Sequence, residues 1–88
     1  MEWKLFAHLR DAAGGPQVSV DVEEDVTVER ALDALLAERP ALREELFEDG
    51  ELADHIRLLV DGEAPDDGLA TTVDAETELA LFPPVSGG

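Results

Sequence analysis

The sequence has no cysteine among its 88 residues. Without a thiol, the chain cannot form a disulfide framework, a thiolate zinc site or a cysteine nucleophile. It also lacks an apolar run of transmembrane length. The opening Met1-Glu2-Trp3-Lys4 has neither the basic start nor the apolar stretch of a signal peptide. We therefore expect a cytoplasmic protein.

Positive charge is scarce as well. Six lysines and arginines stand against 22 aspartates and glutamates, which gives a formal net charge of −16 at pH 7. A surface of this sign repels phosphate backbones and anionic lipids, so neither nucleic acids nor membranes are expected partners. Lys4 is the only lysine. Because concentrated salt screens such self-repulsion, the composition favours a halophilic protein over a generic acidic one.

The remaining composition suits one small folded domain. Leucine, isoleucine, valine and phenylalanine supply 25 of the 88 residues, more than the roughly 20% below which a highly charged chain is disordered. The length fits a single domain with a thin core. The sequence contains no internal repeat and no linker.

Hydrophobic alternation with a period of two predicts four strands. They cover residues 2–8, 17–22, 56–60 and 77–82. The side chains expected to face the core are Trp3, Leu5, Ala7, Val18, Val20, Val22, Leu58, Leu79 and Leu81. Residues 11–16 contain Gly14-Gly15-Pro16, which predicts a turn that joins the first two strands in a hairpin. Two further turns are expected at Asp61-Gly62 and at Asp66-Asp67-Gly68.

A helical stripe follows the second strand. Thr27 is a typical N-cap, and the apolar residues after it recur at helical spacing. Pro40 should stop this helix near Glu38 or Arg39. A weaker helical turn is expected around residues 42–47. Together the elements predict an α+β fold in which the helix covers one face of the sheet.

The chain after Phe82 reads Pro83-Pro84-Val85-Ser86-Gly87-Gly88. Two prolines end strand pairing and form a stiff spacer, and glycine has no Cβ to prevent entry into a narrow cleft. We therefore predict a domain of residues 1–82 and a flexible tail of residues 83–88. An ordinary frayed end is the alternative. At the usual glycine frequency, a two-glycine ending arises in about one chain in 200 by chance.

Such an end suits acyl chemistry. A free carboxylate is a poor acyl donor and needs activation, typically by adenylation with ATP. The activating enzyme must reach the carboxylate without clashing with side chains. Once activated, the carbonyl carbon can accept sulfur or acylate an amine.

The ending Leu81-Phe82-Pro83-Pro84-Val85-Ser86-Gly87-Gly88 and the opening Lys4-Leu5-Phe6-Ala7 resemble the sulfur carriers and ubiquitin-like modifiers of the β-grasp fold. This family includes the small subunit of molybdopterin synthase and the small archaeal modifier proteins. The likeness spans the whole chain, and its FPPVSGG ending is highly specific. It implies the ubiquitin-like β-grasp fold, with a mixed sheet of about four to five strands packed on one main helix. With the acidic composition, the chain is most similar to haloarchaeal members.

The resemblance implies a carrier that is not itself an enzyme. It implies that an E1-like enzyme adenylates the Gly88 carboxylate with ATP and Mg²⁺, while Gly87, Ser86 and Val85 thread the enzyme's cleft. It further implies two destinations. One is sulfur delivery as a thiocarboxylate, to the large subunit of molybdopterin synthase or for tRNA thiolation. The other is an isopeptide bond to lysines of target proteins.

A docking face is the second functional expectation. If the strand leucines face the helix, alternation places three large apolar side chains on the opposite face: Phe6, Leu59 and Phe82. Such residues suggest a partner surface, and the resemblance agrees. The alternatives are that loops or Trp3 cover them, or that the register is shifted by one residue. A noncovalent adaptor that only binds through this face is the alternative function.

Lys4 shares the outward phase. If the protein forms chains of itself, the Lys4 side chain and the Met1 N-terminus are the only two amines available.

No metal site is expected, because His8 and His55 lack further ligands at suitable spacing. The acidic segments 23–25 and 66–67 are interpreted as solvated surface. Neither a nucleophile elbow nor a phosphate-binding loop occurs.

Overall fold

The computed structural model of the chain describes residues 1–53 and 55–83. Its helices are α1 (His8–Ala13), α2 (Val28–Glu38) and α3 (Leu42–Leu46), with a 3₁₀ turn at Gly68–Ala70. Its strands are β1 (Glu2–Leu5), β2 (Gln17–Ser19), β3 (Val26–Thr27), β4 (Phe47–Glu48), β5 (Glu51–Leu52), β6 (Arg57–Val60), β7 (Thr72–Val73) and β8 (Glu78–Phe82). The predicted α+β class is confirmed.

The main sheet of the described chain has four strands in the order β2-β1-β8-β6. The central strands β1 and β8 are parallel, with Leu5 beside Leu81. Strands β2 and β6 flank them in antiparallel pairs. The sheet is therefore mixed, as the sequence predicted. Two short ribbons, β3 with β7 and β4 with β5, lie outside it.

The core forms between the sheet and α2. Trp3 and Leu79 face it from the sheet, and Val28 and Leu35 face it from α2; all four side chains are 0% exposed. Thr27 caps α2 as predicted, because its Oγ1 accepts the Arg30 N–H at 3.3 Å. The predicted helical face of α2 is thus the face that covers the sheet.

The first strand is shorter than the sequence predicted, which was residues 2–8. Strand β1 ends at Leu5, and Ala7 is exposed rather than in the core. The predicted turn over residues 11–16 is also wrong in part, because α1 occupies residues 8–13. Leu9 and Ala13 lie one helical turn apart and are both buried, which favours a helix over a longer hairpin. Gly14 ends α1 in the left-handed region, at φ 81°.

Smaller differences concern strand ends. Strand β2 stops at Ser19, although Val20 is buried and its N–H still bonds to the Met1 carbonyl at 3.0 Å. Val22 is only half-buried. Strands β6 and β8 begin one residue later than expected. Phe47, predicted within a helical turn, instead begins β4.

Two turns pair an aspartate with a glycine. Asp61 and Gly62 have φ values of 50° and 84°, which is the pattern of a type I′ turn, and a tight turn was predicted at these residues. Asp49 and Gly50, at 54° and 83°, form a similar turn between β4 and β5. Strand β8 ends at Phe82. The division into a domain of residues 1–82 and a tail of residues 83–88 stays a prediction.

Candidate docking site at the end of the last strand

The face of the main sheet that points away from α2 is here called the outer face. Along β8, Leu79 and Leu81 are 0% exposed, whereas Ala80 and Phe82 are only half-buried. Sheet register places Lys4 beside Ala80 on one flank and Leu59 on the other. The outer face therefore carries the residues for which alternation predicted an outward orientation.

An aromatic pair dominates one end of this face. The rings of Phe6 and Phe82 are stacked, with centroids 4.3 Å apart and an angle of 9° between their planes. Phe6 is 40% exposed, the one large apolar side chain in the described chain that is this open to solvent. Stacked aromatic pairs contribute about 0.5–1.5 kcal/mol beyond their area burial. The structure thus joins two of the three residues predicted for the docking face.

Leu59 lies on the same face, but one row away from the aromatic pair. It is half-buried and pairs with Ala80, whereas Arg57 is the residue opposite Phe82. Trp3 cannot cover the face, because its side chain is fully buried in the core. The alternative in which Trp3 covers the apolar residues is therefore wrong.

Local hydrogen bonds fix the position of Phe6. The residue follows the last residue of β1, and the Leu5 N–H donates to the Pro16 carbonyl at 2.9 Å. The Phe6 carbonyl accepts the Leu9 N–H at 3.1 Å, and the Ala7 carbonyl accepts the Arg10 N–H at 3.0 Å. The chain reverses at Ala7 (φ 53°, ψ −132°) and leaves Phe6 on the outer face.

Lys4 carries an accessible amine. Its Nζ lies 3.2 Å from Glu78 Oε1, and its side chain is 38% exposed. Exposed ion pairs of this kind contribute little to stability, so the amine is held only weakly. The Met1 amine, by comparison, donates to the Val20 carbonyl at 3.2 Å in a partly buried position.

The tail residues predicted to carry the chemistry, Val85, Ser86, Gly87 and Gly88, lie outside the described residues. What the structure gives is their point of departure. Phe82 is the last residue of β8 and a member of the aromatic pair. The segment after Phe82 therefore starts at the outer face, beside the aromatic pair.

Neither histidine belongs to a cluster of three possible metal ligands in the described part of the chain. His8 Nε2 lies 3.3 Å from Glu45 Oε2 on α3, and His55 is exposed. Across residues 1–53 and 55–83, no three histidine, aspartate or glutamate side chains come together as a metal site. In the same residues, no helix has the length and apolarity needed to cross a membrane.

The model of the ThiS family matches residues 3–88. The chain belongs to the ThiS family. Small archaeal modifier protein 1 of Haloferax volcanii is 58% identical over 89 residues, which cover all of both chains. A crystal structure of that protein superposes with a TM-score of 0.93 at 56% identity, over 100% of this chain and 98% of that one.

A plant relative extends this family relationship. The molybdopterin synthase sulfur carrier subunit of Arabidopsis thaliana is 30% identical over 84 residues, or 96% of this chain and 78% of the relative. The predicted ubiquitin-like β-grasp fold is confirmed by these likenesses. They also place the chain among ubiquitin-like modifiers and sulfur carriers, which are carriers rather than catalysts.

Sequence reasoning missed two cations of this ThiS-family surface. Arg57 lies in register with Phe82, and Arg10 lines a groove of about 360 Å³ together with Lys4 and Phe6. Strand alternation along residues 56–60 already placed the Arg57 side chain on the same face as Leu59. Arg10 gave no such signal, because its segment was not recognised as a helix.

Proposed function

We propose that this ThiS-family chain is a ubiquitin-like modifier or sulfur carrier whose Gly88 carboxylate is adenylated by an E1-like enzyme with ATP and Mg²⁺. One observation carries the proposal: Phe82 is both the last strand residue and half of the exposed aromatic pair. An enzyme that binds the pair holds the start of the tail. Four residues, Pro84 to Gly87, then separate Pro83 from the reacting end at Gly88.

The activation step needs a carboxylate and a nucleotide. An oxygen of the Gly88 carboxylate attacks the α-phosphorus of ATP, which forms an acyl adenylate and releases pyrophosphate. The chain itself supplies only the acyl group and the surface that the enzyme grips. Gly87, Ser86 and Val85 would occupy the approach to the nucleotide, where the absence of a Cβ at glycine allows a narrow passage.

Two nucleophiles can then complete the reaction. Hydrosulfide sulfur from a donor protein would attack the carbonyl carbon, expel AMP and leave a thiocarboxylate. A lysine amine would attack the same carbon, expel AMP and lose a proton, which leaves an isopeptide bond. The sulfur route serves the large subunit of molybdopterin synthase or tRNA thiolation, and the amine route serves protein modification.

Docking on Phe6, Leu59 and Phe82 is the second part of the proposal. Burial of a large apolar side chain contributes about 1.5–3 kcal/mol of binding free energy. A partner therefore gains most by covering Phe6, which is exposed, and Phe82, which is half-buried. The sulfur-accepting subunit and the activating enzyme would both need the tail. We therefore expect them to use this face in turn.

The test compares three forms of the chain in a cell lysate with ATP and Mg²⁺: intact, lacking Gly87-Gly88, and Phe82→Asp. Only the intact form should yield covalent adducts in quantity. The Phe82→Asp form should fold but react about tenfold or more slowly, because a buried unpaired carboxylate weakens docking. Ala37→Asp is the matched control, since it adds the same charge at an exposed position of α2.

Mass spectrometry separates the two destinations. An oxygen-to-sulfur exchange at the terminus indicates sulfur carriage, and Gly-Gly remnants on lysines of other proteins indicate modification. If the truncated form retains full function in cells while Phe82→Asp does not, the chain is a noncovalent adaptor and the carrier proposal fails.

A further inference from the structure

A cleft of about 610 Å³ lies on the side of the molecule that carries α2. It opens between α2, the β4–β5 ribbon and the 3₁₀ turn. Its floor is apolar: Leu32 is buried, and Phe47, Leu52 and Leu69 are half-buried. Apolar side chains that remain partly exposed in a cleft contribute binding free energy when a ligand buries them.

The rim of this cleft is charged. Glu29 and Asp33 stand four residues apart on one face of α2, and Glu51 contributes a third carboxylate from β5. Among the described residues that line the cleft, Arg43 is the single cation. Its guanidinium carbon lies 5.6 Å from the centroid of the Phe47 ring, which is the distance of a cation–π contact.

We infer that this cleft binds an arginine or lysine side chain of a partner protein, next to an apolar residue of the same segment. The apolar floor takes the apolar residue, while the Phe47 ring and the three carboxylates take the cation. Arg43 shows that a guanidinium fits over the ring inside this rim. Three carboxylates against one guanidinium leave an unbalanced negative charge that attracts a further cation.

Acidity alone does not distinguish the cleft, since the whole chain is acidic. A second cleft of about 500 Å³ is lined by more carboxylates, those of Asp21, Glu23, Glu24 and Asp25, together with Arg30. None of the described residues that line this second cleft is aromatic. The two clefts therefore form an internal comparison in which only the first offers a ring beneath its carboxylates.

The cleft and the outer face lie on opposite sides of the sheet. Leu32 and Asp33 belong to α2, which covers the inner side of the sheet, whereas Phe6 and Phe82 lie on the outer face. A target protein could thus be held at the cleft while another protein grips the outer face.

The probe for the test is the blocked peptide Ac-Leu-Arg-Leu-NH₂, with Ac-Leu-Gln-Leu-NH₂ as its uncharged match. Amide chemical shifts of the labelled, full-length protein are followed by NMR at constant ionic strength. The arginine peptide should shift Phe47, Gly50, Leu52 and Leu69 in one saturating transition, and the glutamine peptide should not. Deletion of Gly87-Gly88 should change nothing, which separates this inference from the proposed function.

Variants assign the binding to the two parts of the cleft. Phe47→Leu should weaken the peptide about threefold to fivefold through the lost cation–π contact. The pair Glu29→Gln and Asp33→Asn changes only exposed side chains and should weaken it about twofold to tenfold. Arg43→Gln should tighten it, because the competing guanidinium is gone. The matched pair Glu23→Gln and Glu24→Gln should have no effect.

Three results would overturn the inference. The first is shifts centred on residues 21–25 rather than on the cleft. The second is equal binding of the arginine and glutamine peptides. The third is unchanged affinity in both the Phe47 variant and the α2 double variant.

Discussion

Ala7 holds an unusual backbone conformation, φ 53° and ψ −132°. These angles belong to the first central position of a type II′ turn, which glycine normally occupies. A side chain in such a sparsely populated region costs about 1–3 kcal/mol. The hydrogen bonds at the start of α1 and the burial of Leu9 hold the turn in place against this cost.

Ala7→Gly should therefore raise the free energy of unfolding by about 1 kcal/mol, even though glycine makes the unfolded chain more flexible. Urea denaturation measures the change. Ala37→Gly is the control of opposite sign: at an exposed position of α2 it should lower stability by up to about 1 kcal/mol. A loss of stability in both variants would show that Ala7 is not strained.

The Lys4 amine can be tested as the acceptor of self-linkage by a single substitution. Arginine keeps the positive charge beside Glu78 but offers no nucleophilic amine at neutral pH. We expect Lys4→Arg to leave the fold intact and to abolish the self-linked ladders of the lysate reaction. A denaturing gel resolves these ladders. Ladders of unchanged intensity would place the linkage at the Met1 amine instead.

The elements differ in how much of their placement is encoded locally. Strands β6 and β8 and helix α2 have clear periodicity, so sequence located them within a residue or two. Helix α1 was missed, because Leu9 and Ala13 form too short a stripe to outweigh Gly14-Gly15-Pro16. The two-residue strands β3, β4, β5 and β7 are too short to show any period.

The candidate site shows the same limit. Alternation predicted that Phe6 and Phe82 share an orientation. Their stacking depends on the parallel pairing of β1 with β8, which joins distant parts of the chain and leaves no local pattern. The cleft over Phe47 could not be predicted either, because it is formed by α2, α3, the β4–β5 ribbon and the 3₁₀ turn together.

Arg39 links two elements and offers a test of α1. Its Nε donates to the Ala13 carbonyl at 2.9 Å, at the end of α1 where carbonyls lack helical partners. Arg39→Gln should lower the free energy of unfolding by about 1 kcal/mol and speed amide exchange within α1. Arg30→Gln, an exposed change on α2, should stay within about 0.5 kcal/mol. Equal effects of the two variants would contradict this role.

The whole molecule carries a charge that its ion pairs do not balance. In the part of the chain that the structure describes, ion pairs join Lys4 to Glu78 and Arg39 to Glu38, and His8 Nε2 lies 3.3 Å from Glu45 Oε2. With a net charge of −16, repulsion between the remaining carboxylates opposes the compact state. Salt shortens the range of that repulsion.

We therefore predict that the melting temperature rises on the order of 5–10 °C between low and molar KCl, a change of roughly 1–2 kcal/mol for a domain of this size. Differential scanning calorimetry measures it. A variant in which Glu23, Glu24 and Asp25 are replaced by their amides should respond less steeply. A flat curve for the unmodified chain would exclude this account.

The parallel pairing of β1 with β8 has a consequence for biosynthesis. The middle of the sheet consists of the first and the last strand of the described chain, so a nascent polypeptide can pair β1 with β2 early, but β1 gains its second partner only once β8 has been made. The aromatic pair likewise takes one ring from each of these two regions. An enzyme that recognises Phe6 beside Phe82 would thereby select molecules in which β1 and β8 have paired, and would ignore fragments that lack either strand.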